Sequence, residues 1–180
     1  NQEGLQEARQ TLLSVGVNSD AKIRAVKDNK LFGEYRDALG KEQGAFKSYY
    51  AALAVAQGDP SKMVNLKGNE TEIYDDVVSL LSNKGVGDTQ ANKIAAQTAK
   101  LQAALPNAGA FNQILSQAIQ DTFSGADSPL IKTSKESKKI GEQLERQNPG
   151  INMGALNKVM TENPNAFFDA IQKFSGSDSF

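Results

Sequence analysis

The sequence predicts an all-α fold, a mostly antiparallel bundle of about seven to nine helices with little or no β-sheet. Three observations lead there. Apolar residues recur at steps of three and four along most of the chain, and cap residues with Gly or Pro stops punctuate those stripes. No segment of useful length alternates apolar and polar residues with β-branched enrichment.

The strongest stripe decides what the apolar run at 48–60, SYYAALAVAQGDP, can be. A membrane helix needs about 20 mostly apolar residues, but this run is closed by Lys47 on one side and Asp59 on the other. The uncharged stretch 101–120 is interrupted by Pro106, Asn107 and several glutamines, so it does not span a bilayer either. The alanines at 51, 52, 54 and 56 disfavour a strand and favour a helix. Upstream, Phe32, Tyr35, Leu39, Phe46, Tyr49, Leu53 and Ala56 continue one helical stripe, with Glu42 in the missing place. The run is therefore expected to be a packed helix, with Glu42 near an opening or against a partner side chain. Gly33, Gly40 and Gly44 weaken this long helix by about 1 kcal/mol each against Ala if exposed, and a bend is expected at 40–44.

The other elements follow in order. Leu5, Ala8, Leu12, Leu13 and Val15 predict a first helix ending near Gly16. Asn18, Ser19 and Asp20 cap a second, carrying Ile23 and Val26, and the phase slips at 28–30 before the Phe32 stripe. Asp59 and Pro60 open a short helix that Gly68 closes. Asn69 and Glu72 have capping-box spacing ahead of Ile73, Val77, Leu80 and Leu81. A helix over 88–105, a turn at 106–109 and a helix bearing Phe111, Ile114, Leu115, Ala118, Ile119 and Phe123 predict an antiparallel hairpin. Thr133 and Glu136 form another capping box, opening a charged helix with Ile140 and Leu144 as its apolar pair. Two short helices end the chain, one from Asn152 to about Glu162, the other starting at Asn163-Pro164 with Phe167, Phe168, Ile171 and Phe174. The final SGSDSF is expected to fray. Composition shifts at 124–133, which divides a main helical domain, 1–125, from C-terminal helices, 126–180, packed on it or forming a small subdomain.

The composition excludes much chemistry. The 180 residues are 39% apolar and 23% charged, ordinary for a soluble globular chain. There is no Cys and no His, which removes the usual metal ligands, thiolate nucleophiles and any Ser-His-Asp constellation. No cofactor and no metal is expected. A formal charge of −1 gives no general attraction to nucleic acid. The chain opens on Asn1, so a processed protein or an excised fragment is expected, either cytoplasmic or exported after signal removal.

Several motifs fail on their own terms. The segment at 33–42, GEYRDALGKE, ends in Gly-Lys but has the wrong spacing and Glu42 where a phosphate-binding loop needs Ser or Thr. Glu70, Glu72, Asp75 and Asp76 collect where a helix macrodipole favours acids, which accounts for them without a cation or an acid–base pair. The tripeptide 69–71 matches a glycosylation acceptor, a signal carrying weight only in a eukaryotic secreted protein. Lys132, Lys135, Lys138 and Lys139 could meet an anion, yet Glu136, Glu142 and Glu145 lie among them, as on a solvated helix face.

One surface remains. Gln113, Ser116, Gln117 and Gln120 share a face opposite the apolar stripe, and no charge occurs between Lys100 and Asp121. Interface cores are depleted in charge, so this face is expected to be covered, by another helix of the same domain or by a partner protein. The expected function is a non-catalytic helical interaction or assembly module, an exported bacterial protein or a piece of a larger chain. The alternative is a carboxylate-dependent hydrolase with an acidic cleft between helices, since burial alone can raise a carboxyl pKa.

Overall fold

The computed structural model describes residues 2–57, 70–103, 111–176 and 179–180. Among these residues there are nine α-helices and no strand: α1 (Gln2–Val15), α2 (Asp20–Lys27), α3 (Leu31–Gln57), α4 (Glu70–Asn83), α5 (Asp88–Ala103), α6 (Phe111–Ser124), α7 (Pro129–Gln147), α8 (Met153–Glu162) and α9 (Ala166–Lys173). The short helix expected over 60–68, the Asn69 cap and the turn at 106–109 lie outside the described residues.

Two compact units partition the chain, Asn1–Gln43 with Thr133–Phe180, and Gly44–Lys132. Neither boundary falls at the 125/126 division that composition suggests. The chain leaves the first unit inside α3 and re-enters it inside α7. A crossing made in mid-helix carries no loop chemistry, and so no composition shift marks it.

In the first unit, α1 packs against α8 and α9, and α9 also meets α2. The core holds Leu12, Val15, Ile23, Phe32, Leu144, Leu156 and Phe167, each at most 2% exposed. Phe32 and Phe167 stack at 5.8 Å between ring centroids. α1 ends as its sequence asks: Gly16 adopts φ 92°, Gly16 N–H donates to Leu13 O, and Val17 N–H reaches back to Leu12 O. That is a Schellman cap, whose apolar contact is supplied here by buried Leu12 and Val17. The left-handed Gly16 also sits against Gly150, and Asn152 N–H donates to Val15 O at 2.8 Å. Ser19 caps α2 by accepting from Lys22 N–H, and Asn29 Oδ1 accepts from Leu31 N–H to start α3, so the expected break at 28–30 is present.

The second unit contains α4, α5 and α6, with the end of α3 and the start of α7. α5 packs on α4 and on α6. Its core is Ala-rich along α5 (Ala91, Ala95, Ala99, with Ile94) and meets Leu81, Leu115, Ile119 and Phe123. The α4 terminus repeats the α1 cap, with Gly85 at φ 83°, Gly85 N–H donating to Ser82 O and Val86 N–H to Leu81 O.

The long stripe is a core seam where it is described. Phe32, Tyr35 and Leu39 are buried, Phe46 and Tyr49 are half-buried, and Tyr49 packs its ring 5.1 Å from that of Phe123. α3 runs unbroken through Gly33, Gly40 and Gly44. Leu39→Ala is expected to cost about 2–5 kcal/mol in chemical denaturation; a nearly neutral result would mean that Leu39 is not packed.

Three local expectations are corrected. α7 begins at Pro129 rather than at the Thr133 box, because Ser128 accepts from Ile131 N–H and proline suits the first helical position. α9 begins at Ala166 rather than at Pro164, after Asn163 Oδ1 accepts from Asn165 N–H. Phe180 is half-buried rather than frayed. Its N–H donates to Asp20 Oδ1 at 2.8 Å, and its ring lies 5.5 Å from Phe174 and 5.6 Å from the Arg9 guanidinium.

Candidate functional site

α6 divides cleanly into two sides. Leu115, Ala118, Ile119 and Phe123 are buried in the second unit. Gln113, Gln117 and Gln120 are exposed and Ser116 is half-buried. Of the two coverings expected for this face, a helix of the same domain is not seen among the described residues. α6 meets α5 through its apolar side, and no described element lies over the glutamines.

The face is neutral but not unstructured. Asp121 ends the uncharged run, and its carboxylate accepts from Gln117 Nε2 at 2.8 Å and from Gln97 Nε2 of α5 at 3.3 Å. Gln117 is thus committed to a neighbour in its own chain, while Gln113 and Gln120 project outward. Beyond Gln120 the face runs into a cavity of about 310 Å³ lined by Tyr49, Gln120, Phe123, Ser124, Leu130 and Ile131. None of these six side chains is ionisable at neutral pH. Sequence periodicity placed the glutamines on one face, but it could not add Tyr49, Leu130 and Ile131, which come from two other helices.

The lysines behave differently. Lys132, Lys135, Lys138 and Lys139 are all exposed along α7, with Glu136, Glu142, Glu145 and Arg146 exposed among them. Lys132 and Glu136, Lys138 and Glu142, and Glu142 and Arg146 stand one turn apart, the placement of a solvated face bearing both signs. The face builds no concentrated positive site.

Glu42 meets a partner side chain. It is half-buried, and its carboxylate accepts from the hydroxyl of buried Ser137 and from Ser134 Oγ at 3.5 Å, both on α7. The small residues on that side of α7 allow close packing, since a Cβ at Gly141 would lie 3.2 Å from the Tyr35 ring. Glu42 is a satisfied polar link within the first unit.

Glu72, Asp75 and Asp76 are exposed on α4. Among the described residues no group of three His, Cys, Asp or Glu is placed to hold a metal ion. Two other cavities are described in the first unit. One is lined by Lys22, Val26 and the 147–151 turn, and the other by Asp20, Arg24, Lys27 and Phe174 among others. Among the described lining residues, each of these three cavities has at most one carboxylate. No described helix is long and apolar enough to cross a membrane. Comparison with protein-family models, with curated proteins and with solved structures finds no match.

Proposed function

We propose that this chain is a non-catalytic helical interaction module that binds another protein through the glutamine face of α6. The supporting observation is a contrast between two exposed helix faces of one molecule. α7 meets solvent with Lys135, Lys138, Lys139, Glu142, Glu145 and Arg146, the composition of a solvated helix. α6 presents Gln113, Gln117 and Gln120 with no charge before Asp121, and continues into an apolar cavity. A neutral polar surface beside an apolar recess has the anatomy of an interface. A formal charge of −1 also favours a protein partner over nucleic acid.

The test is the double change Gln113→Lys with Gln117→Lys. Both positions are exposed, so unfolding free energy is expected to stay within about 0.5 kcal/mol of wild type. Capture of a partner from an extract of the source organism is expected to be lost, because two lysines would have to be desolvated in the complex. Full retention of capture by the stably folded variant would refute the reading.

A further inference from the structure

We infer that the second unit opens and recloses while the first stays folded, and that the chain carries a latent helix end at each crossing to cap the shortened helices of that open state. The described core of one unit lies wholly within 1–43 and 133–180, and that of the other wholly within 44–132. Separate cores permit one unit to open without the other. In the closed chain, α3 and α7 run through the two crossings as continuous helices.

Each crossing coincides with a helix-end signal that the closed chain passes over. Gly44 is the first residue of the second unit on α3. It is exposed, and an added Cβ there meets nothing described within 4 Å, so no close neighbour accounts for the glycine. Glycine weakens a helix interior but suits the left-handed position just past a helix end. On the other side, Thr133 is the first residue of the first unit on α7, and with Glu136 it has capping-box spacing. The turn before Thr133 packs on the second cluster through Leu130, and Tyr49 and Ala52 beyond Gly44 pack there too. These turns lose their packing when the second unit opens. α3 then ends at Gln43 with Gly44 as its stop. α7 restarts at Thr133, whose hydroxyl accepts from Glu136 N–H while the Glu136 carboxylate accepts from Thr133 N–H. Behind the new ends both helices stay tied to the first unit. Leu39, Ile140 and Leu144 belong to its core, Gln43 Nε2 donates to Thr161 O at 3.2 Å, and Glu42 accepts from Ser134 and Ser137. Both signals complete helices of the first unit, which is why that unit is the one that persists.

The test is amide hydrogen exchange on the intact chain, read by mass spectrometry of peptic fragments. The slowest amides of α4, α5 and α6 are expected to be at least about tenfold less protected than those of α1, α8 and α9. Thr133→Val keeps the β-branched shape and the helix propensity but removes the capping hydroxyl. Losing the cap weakens the open state, so exchange in α4–α6 is expected to slow about fivefold, with Thr133→Ser close to wild type. Losing a contact of the closed helix would speed exchange instead, so the sign separates the two. Gly44→Ala strengthens the continuous helix and penalises the left-handed stop, and is expected to slow the same amides about tenfold or more. Gly40→Ala is the control: this exposed residue is helical in both states, so exchange in α4–α6 should not change. Equal protection of the two sets of amides would overturn the inference, because the chain would then open as one. Unchanged or faster exchange of α4–α6 in Thr133→Val, or equal slowing by Gly40→Ala and Gly44→Ala, would overturn it as well.

Discussion

Phe167→Ala is expected to lower the unfolding free energy by about 3–5 kcal/mol, a large share of the roughly 5–15 kcal/mol that holds a domain folded. Phe167 is 0% exposed, stacks on Phe32, and receives Phe168 edge-on at 5.5 Å. Its ring connects the C-terminal α9 to the start of α3 across the core of the first unit. Truncation removes the transfer free energy of the ring and leaves a cavity that rigid helices fill only partly. Phe168, half-buried with the Arg36 guanidinium 4.7 Å from its ring centre, should cost distinctly less on the same change. The measurement is a urea or guanidinium titration followed by circular dichroism, read at the midpoint with the slope unchanged. A loss below about 1 kcal/mol for Phe167→Ala would show that this aromatic core is not formed.

Gly16→Ala and Gly85→Ala are expected to differ, although the two glycines do the same local job. Both occupy the left-handed position of a Schellman cap, at φ 92° and 83°. A Cβ there strains the backbone by about 1–2 kcal/mol, partly offset by reduced freedom of the unfolded chain. At Gly85 nothing lies within 4 Å of the added carbon, so that strain should be the whole effect. At Gly16 the carbon would overlap the carbonyl oxygen of Gly150, a backbone atom that cannot swing aside. Moving the 150–152 segment would disturb the Asn152 N–H bond to Val15 O and the start of α8. A further cost of about 1–3 kcal/mol is expected from that overlap, placing Gly16→Ala near 2–5 kcal/mol in total. Equal losses at the two sites, in the same titration, would mean that α1 and the 150–152 turn do not touch.

This pair also shows where sequence reasoning stops. The α1 stop at Gly16 was legible, because a stripe ending in Val15 and followed by Gly has one local meaning. That Gly150 abuts Gly16 was not legible, since the two are far apart in the chain and neither carries a side chain to signal contact. The same division holds at the site. Helical spacing placed Gln113, Gln117 and Gln120 together, and composition showed that the face lacks charge. Whether it is covered depends on which elements pack over α6, and among the described residues none does. α7 starts ahead of its capping-box spacing for a different reason: Thr133 and Glu136 have that spacing, but Ser128 and Pro129 offer an earlier start with a proline suited to it.

By itself the sequence determined the helical class, most helix boundaries, the core-facing stripes and the absence of Cys and His chemistry. Each of these rests on interactions between residues a few positions apart, or on composition alone. Tertiary structure decided that the chain forms two units exchanging in mid-helix, that Glu42 is answered by Ser134 and Ser137, and that Phe180 docks beside Arg9. It also decided that the glutamine face of α6 meets a cavity built with Tyr49 and Leu130. All of these join side chains distant in sequence, and their pairing follows from how helices pack, which periodicity within a single helix does not encode.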